Sequence, residues 1–316
     1  MDNYDTKEAG MLIGKWVEEM KTKLIDDYTI AAANAAADTV TVSEAGIPKA
    51  HKVLLKGKDG RREAVFTVIG VIINKAFPPV NSATVPRHRA QFAAQEITVS
   101  GLGDATFGQS IKNLDDVSYK LSVQFPEGSV DNWAATTGDH GEMLTATCRY
   151  FTMGNNIPAE AKVPFGSNVD PQKVLEKLTS VSCSHCEDND VDYLEWKDEK
   201  LIRKNPVGFR VGDIVQVGIS LCAFKASKTG NTPRYMCKLV LRSVTLLDVS
   251  MTRRAQASRL EAEKKNPNQA FNARAFKRTR AQIESDSEGE ELPSARQKMG
   301  KLTIEDVIMD GRKSAQ

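Results

Sequence analysis

The feature that most constrains this chain is a pair of long alternating runs, Val211–Phe224 and Tyr235–Leu247, on either side of the polar loop Lys225–Arg234. In the first, Val215, Val217, Ile219 and Leu221 alternate with Gln216, Gly218, Ser220 and Cys222. In the second, Cys237, Leu239 and Leu241 alternate with Met236, Lys238, Val240 and Arg242. Side chains in a strand have period two, so both apolar sets must share the core face, and a slip of one residue would bury the polar set. Both sets carry odd numbers, so paired positions must sum to an even number. A sum of 460 centres the turn on Gly230 and suits the Thr229-Gly230-Asn231 chemistry.

This register puts Cys222 and Cys237 on opposite faces, so no disulfide joins them. The outer face is expected to carry Gln216, Phe224, Met236, Lys238 and Arg242, and the loop adds Lys225, Lys228 and Arg234. A ring set among cations suits a single nucleic-acid strand, because bases stack on rings while cations follow phosphates.

The rest of the body reads as mainly β after an N-terminal helix. Met11, Leu12, Trp16, Val17, Met20, Leu24 and Tyr28 recur at helical spacing and predict a helix over 7–30. The β-branched run Ala64–Ile73 follows a turn at Lys58-Asp59-Gly60, which predicts a hairpin with Lys52–Lys56. Further strands are predicted at Glu96–Ser100, Tyr119–Phe125 and Met143–Thr152. Asp170-Pro171 offers an N-cap and a first-turn proline for a short helix through Leu178. The expected organisation is a helical segment (1–39), a β-rich region that is a first barrel or half of one body (40–153), an antiparallel OB-like β-region with one short helix (154–250), and a charged, mostly disordered tail (251–316).

Two runs carry a resemblance. Asn205-Pro206-Val207-Gly208-Phe209-Arg210-Val211-Gly212-Asp213-Ile214-Val215 and Leu241-Arg242-Ser243-Val244-Thr245-Leu246-Leu247-Asp248 are similar to a group of uncharacterised fungal proteins of mobile-element character. The Gly-Asp-Ile-Val entry into a strand also resembles OB-fold proteins that bind single-stranded nucleic acid, such as replication protein A. The resemblance is firmest over roughly residues 157–250. It implies binding on one barrel face and in the loop between the last strands, which in this sequence selects Phe224, Lys225, Lys228, Arg234, Lys238 and Arg242.

The charge distribution points the same way. Residues 251–316 hold 14 Lys/Arg and 10 Asp/Glu, leaving 29 against 31 in residues 1–250. A basic arm that includes Arg253, Arg254, Lys277, Arg278 and Arg280 precedes the acidic residues Glu284, Asp286, Glu288, Glu290 and Glu291. A near-neutral body with such an arm is the pattern of a polyelectrolyte-binding or nuclear protein. Ser285 and Ser287 stand among the acids as expected phosphorylation sites, where phosphate would deepen the negative block. Phe276-Lys277-Arg278-Thr279-Arg280 is a short run suited to nuclear import. The acidic start Met1-Asp2-Asn3-Tyr4-Asp5 lacks an apolar h-region, so no secretory signal is expected. No apolar run approaches the roughly 20 residues that span a bilayer, so no membrane role is expected.

Catalytic constellations are not recognisable. Asp139-His140-Gly141-Glu142 reads as a turn with no nucleophile beside it, Gly101-Leu102-Gly103 lacks the third glycine of a dinucleotide loop, and no P-loop occurs. Cys183-Ser184-His185-Cys186 has zinc-ligand spacing, but no second close pair completes four ligands, so a surface loop with two free thiols, Cys183 and Cys186, is expected. The function expected is non-catalytic, sequence-tolerant binding of single-stranded nucleic acid, DNA before RNA, in the nucleus and without a cofactor. The alternative is a protein–protein scaffold or a viral coat or nucleocapsid-type assembly subunit. There the Trp16 helix and the Leu302–Ile308 segment would be the docking elements.

Overall fold

A computed structural model describes residues 3–21, 23, 28–46, 49–80, 92–154, 157–226 and 233–265. Among these residues there are three α-helices: α1 (Thr6–Met20), α2 (Ala105–Ser122) and α3 (Ser250–Lys265). The strands of the first half are β1 (Thr29–Ala31), β2 (Thr41–Ala45), β3 (Ala50–Gly57), β4 (Gly60–Glu63), β5 (Val65–Ala76) and β6 (Ala94–Ser100). Then come β7 (Val130–Asp131), β8 (Thr136–Gly138), β9 (Gly141–Arg149), β10 (Thr152–Met153) and β11 (Cys183–Ser184). The last four are β12 (Asp192–Lys197), β13 (Lys200–Arg203), β14 (Ile214–Lys225) and β15 (Tyr235–Asp248).

Five of these strands close a barrel. β5 pairs antiparallel with β6 and with β14, β6 with β9, and β14 with β15. A parallel contact between β9 and β15, Thr147 beside Val240, completes the ring. Taken in chain order, the five strands meet as first–second–third–fifth–fourth and back to the first, which is the strand order of an OB-like barrel. The fold is therefore mainly β, with α1 at the N-terminus. The barrel strands come from both sides of residue 153, and residues up to Lys265 form one compact unit. The interior holds Phe66 and Val68 of β5, Ile97 and Val99 of β6, Leu144 of β9, Val217 and Ile219 of β14, and Leu239 and Leu241 of β15.

The hairpin register is the one the alternation demands, with one shift. From Ile219↔Leu241 to Lys225↔Tyr235 the partners sum to 460. A bulge between Gly218 and Ile219 then offsets the inner half, so Gln216 faces Thr245. Gly218 is needed there, since a Cβ on it would stand 2.3 Å from the Ser243 hydroxyl. The expected solvent face fails in the inner part of β14, which is buried on both faces from Ile214 to Ala223. β5 and β15 flank it there, and its Ser220 hydroxyl donates to the Ala64 carbonyl where β4 bends into β5.

Other expectations are corrected by geometry. The first helix stops at Met20, and Tyr28 instead leads into β1, which runs parallel to β5. The α1 stripe is Ala9, Ile13 and Met20, packed with Ile69, Val71, Ile214, Leu247 and Met251, whereas Met11 is exposed. The hairpin partner of β3 is β4, and the apolar run after it is the separate strand β5. Tyr119–Phe125 is not a strand, because most of it belongs to α2. There Asp104 caps Thr106 and Phe107, and Phe107, Ile111, Leu114, Val117 and Leu121 face the core. Asp170 does accept from the Val174 and Glu176 amides, but Lys173 has a left-handed backbone (φ 55°), so only a single 3-10 turn forms at Glu176–Leu178. No helix among the described residues is long and apolar enough to cross a membrane.

Candidate functional site

A groove of about 390 Å³ opens on the barrel wall at the outer ends of β14 and β15. Alternation delivers Lys238, Val240 and Arg242 from β15 and Thr147 and Arg149 from β9, and the end of β14 adds Phe224 with the terminal Lys225. Lys49, Lys52, Met153 and Asp188 complete the lining, with Lys52 and Asp188 in contact at 3.0 Å.

Its cations fall into two groups. Lys52 and Arg242 belong to a partly buried four-charge network. The Lys52 ammonium donates to Glu63 and, at 3.0 Å, to Asp188, while Arg242 Nε donates to Glu63 at 2.7 Å and its Nη1 to the Asp188 carbonyl at 2.7 Å. Burial alone would favour the neutral forms. Burial is the largest single influence, but Glu63 and the other negative groups beside it, Asp188 among them, together outweigh it, and the pKa values of Lys52 and Arg242 both stand above their ordinary positions. Glu63 is affected in reverse: burial pushes it up, and Arg242 and Lys52 outweigh this and hold it below the usual glutamate value. Two carboxylates and two cations make this network neutral.

Lys49, Arg149, Lys225 and Lys238 have no carboxylate partner among the described residues. Burial and then the like charge of Arg149 lower the pKa of Lys238, as expected where cations gather without an acid between them. Arg149 also lies over the exposed ring of Phe92, 5.9 Å from its centroid. The groove thus presents uncompensated positive charge beside the half-buried Phe224 ring and the exposed Met153 thioether.

Among the residues expected at a site, Phe224, Lys225, Lys238 and Arg242 are brought together here. Arg242 lies in the network and is spoken for by Glu63. Arg234 is on the loop side, paired with Asp131 at 2.8 Å. Arg253 and Arg254 lie on α3, which starts at the opposite end of β15 from the groove. Ten residues of strand separate Lys238 from Asp248, or about 33 Å. Arg254 is paired with Glu8 of α1, and Thr252 donates to Asp213 at 2.7 Å, so the arm begins as a docked helix. Lys228, Lys277, Arg278, Arg280, Ser285 and Ser287 lie outside the described residues.

Cys183 and Cys186 are free but buried, not on a surface loop, because β11 pairs with β10 and Cys183 packs with Tyr150, Phe151 and Leu175; Cys148, Cys222 and Cys237 are buried and free as well. His185 between them is fully engaged, Nδ1 with the Tyr150 carbonyl at 2.8 Å and Nε2 with Asp190 at 3.0 Å, its ring stacked on Phe165. No group of three or more His, Cys, Asp or Glu among the described residues is placed to hold a metal ion. Arg149, Lys49, Glu63 and Asp188 were not signalled by the sequence reading. The alternation Thr145, Thr147, Arg149 on a recognised strand was the available clue to the first of them.

No protein-family model matches the chain, and no curated protein matches it either. Among solved structures, it is similar to gp2.5, a single-stranded DNA-binding protein encoded by bacteriophage T7. That similarity is 15% identity over 58% of this chain and 86% of the other, with a TM-score of 0.30. At that level the match adds nothing to the strand order, which rests on the pairings above.

Proposed function

We propose that this protein binds single-stranded nucleic acid without sequence preference and without catalysis, through the groove between β9, β15 and the end of β14. The observation that carries the reading is the set Lys49, Arg149, Lys225 and Lys238, four cations with no carboxylate among the described residues to neutralise them, gathered around Phe224. Phosphates supply the missing negative charge, and a base has a ring to stack on. The groove opens beside the loop between the last two barrel strands, a position from which OB-like barrels reach oligonucleotides. The neutral network beneath it holds Lys52 and Arg242 in place as a rigid floor. The basic run Phe276–Arg280 supports a nuclear setting, and the basic arm adds sequence-independent affinity. The scaffold alternative loses one of its docking elements, because the Trp16 helix already spends its apolar stripe on the barrel.

The test is fluorescence anisotropy with labelled 20-mers of DNA and RNA, using the full chain. Replacing Arg149 and Lys238 together by Ala is expected to weaken binding about tenfold or more at low salt. It should also flatten the salt dependence by about 0.7 in slope per cation removed. A double variant that binds as wild type does, with the same slope, would move the site off this groove.

A further inference from the structure

A second cavity, of about 340 Å³, lies under α1 on the outer wall of β5 and β14. Its floor is polar and unusual for the centre of a sheet. Gln216 of β14 and Thr67 of β5 are each 8% exposed, both face the cavity, and no protein group among the described residues hydrogen-bonds either side chain. Among the described residues the side-chain atoms sealed from solvent without a partner are the hydroxyls of Thr41 and Ser118, so the Gln216 amide is open to the cavity and available to a ligand. A polar group that meets only a cavity on a central strand breaks the local packing logic, and such breaks concentrate at functional sites.

The walls indicate what would serve it. Val17 and Met20 of α1 and Ile69 of β5 supply flat apolar surface, with Ala31 and Ala105 opposite. Gln109 and Asn34 stand at the edge. The two charges on the rim among the described residues, Glu18 and Lys21, neutralise each other at 3.2 Å. This cavity therefore has no positive surplus for phosphate, in contrast to the groove. The frame is well braced, since Asn113 of α2 donates to the Ala32 and Ala33 carbonyls at 2.9 and 2.8 Å.

We infer that this cavity binds an uncharged planar heterocycle that carries a hydrogen-bond donor beside an acceptor, the adenine class. The Gln216 carboxamide offers the complementary acceptor and donor, the pairing by which glutamine reads an adenine edge. Thr67 offers one further polar contact, and Met20 can lie against the ring. The volume is at the small end of ligand pockets and fits a nucleoside rather than a larger cofactor. This inference stands apart from the groove, since it uses none of the same residues.

The experiment is ligand-observed NMR and calorimetric titration of adenosine on the full chain. Saturable binding is expected, weakened about tenfold or more in Gln216→Leu and measurably in Thr67→Val, two replacements of similar size that remove only the polar groups. Thermal melting should show Gln216→Leu folded, with a midpoint close to that of wild type, so that lost binding is not lost folding. Strand binding by Gln216→Leu distinguishes the source of the heterocycle: weakened binding assigns the cavity to a base of a bound strand, unchanged binding to a free nucleoside. No adenosine binding at millimolar concentration, or equal binding by a folded Gln216→Leu variant, would overturn the inference.

Discussion

Lys52 and Arg242 line the same groove as Arg149 and Lys238, yet the two pairs differ in everything but charge. The first pair is largely buried and answered by Glu63 and Asp188. Among the described residues the second finds no carboxylate, only the like charge within the pair, together with Phe92 and Phe224 nearby. Charge that is already compensated builds the wall, and charge that is not compensated is available to a ligand. A count of basic residues cannot tell these apart, because the distinction lies in the partners.

The largest effect should follow from removing the acid at the centre of the compensated pair. Glu63→Ala leaves two partly buried cations facing one carboxylate, and the expected loss is about 3–5 kcal/mol of stability, read from urea unfolding. The same group sets an acid limb. Its folded pKa is below the ordinary glutamate value, so its contribution is fully present at neutral pH and is lost as pH falls through the folded value. Lys52 behaves in the opposite sense. Its raised pKa gives a contribution present at neutral pH and lost only as pH climbs above the ordinary lysine range. If Glu63→Ala unfolded at the wild-type urea midpoint, the division into wall and site would collapse.

A smaller effect, confined to binding, is expected on the uncompensated side. Phe224→Ala should weaken binding to a labelled single strand by about 1–3 kcal/mol, the range for losing one stacked base. An unchanged anisotropy curve would leave the groove as a purely ionic surface. The smallest effect belongs to Arg234, whose side chain is half exposed in its pair with Asp131. Arg234→Ala should change stability by well under 1 kcal/mol in the same urea assay. A larger loss would mean that this exposed pair belongs with the wall.

The strand order of the hairpin was legible because alternation and a two-residue period admit few registers. The shift at Gly218 was not, since it depends on how closely Ser243 approaches across the sheet. Helix α2 was legible in principle: Asp104 is a cap, and Phe107, Ile111, Leu114, Val117 and Leu121 recur every three or four residues. The Val123 and Phe125 ending nevertheless reads as a strand when taken alone. Phe224 and Lys238 could be found from the face they share, and Lys225 from its place where the strand enters the polar loop. Glu63 could not be tied to Arg242, 179 residues away in sequence, because that contact exists only once β4 bends beside the closed barrel. Closure itself rests on Thr147 meeting Val240, a pairing that no local pattern encodes.

The five buried thiols have a practical consequence. Burial raises the pKa of Cys148 and Cys222 to about 12 and that of Cys237 to about 11, which keeps them protonated as well as shielded at neutral pH. An alkylating reagent therefore meets no reactive sulfur on the folded body, and its rate of incorporation becomes a clock for opening. Cys183 and Cys186 lie outside the closed ring, in the segment between β9 and β12, whereas Cys148, Cys222 and Cys237 sit on its strands. Mass spectrometry of the order in which they are labelled would show which of these parts opens first, with no probe added to the molecule.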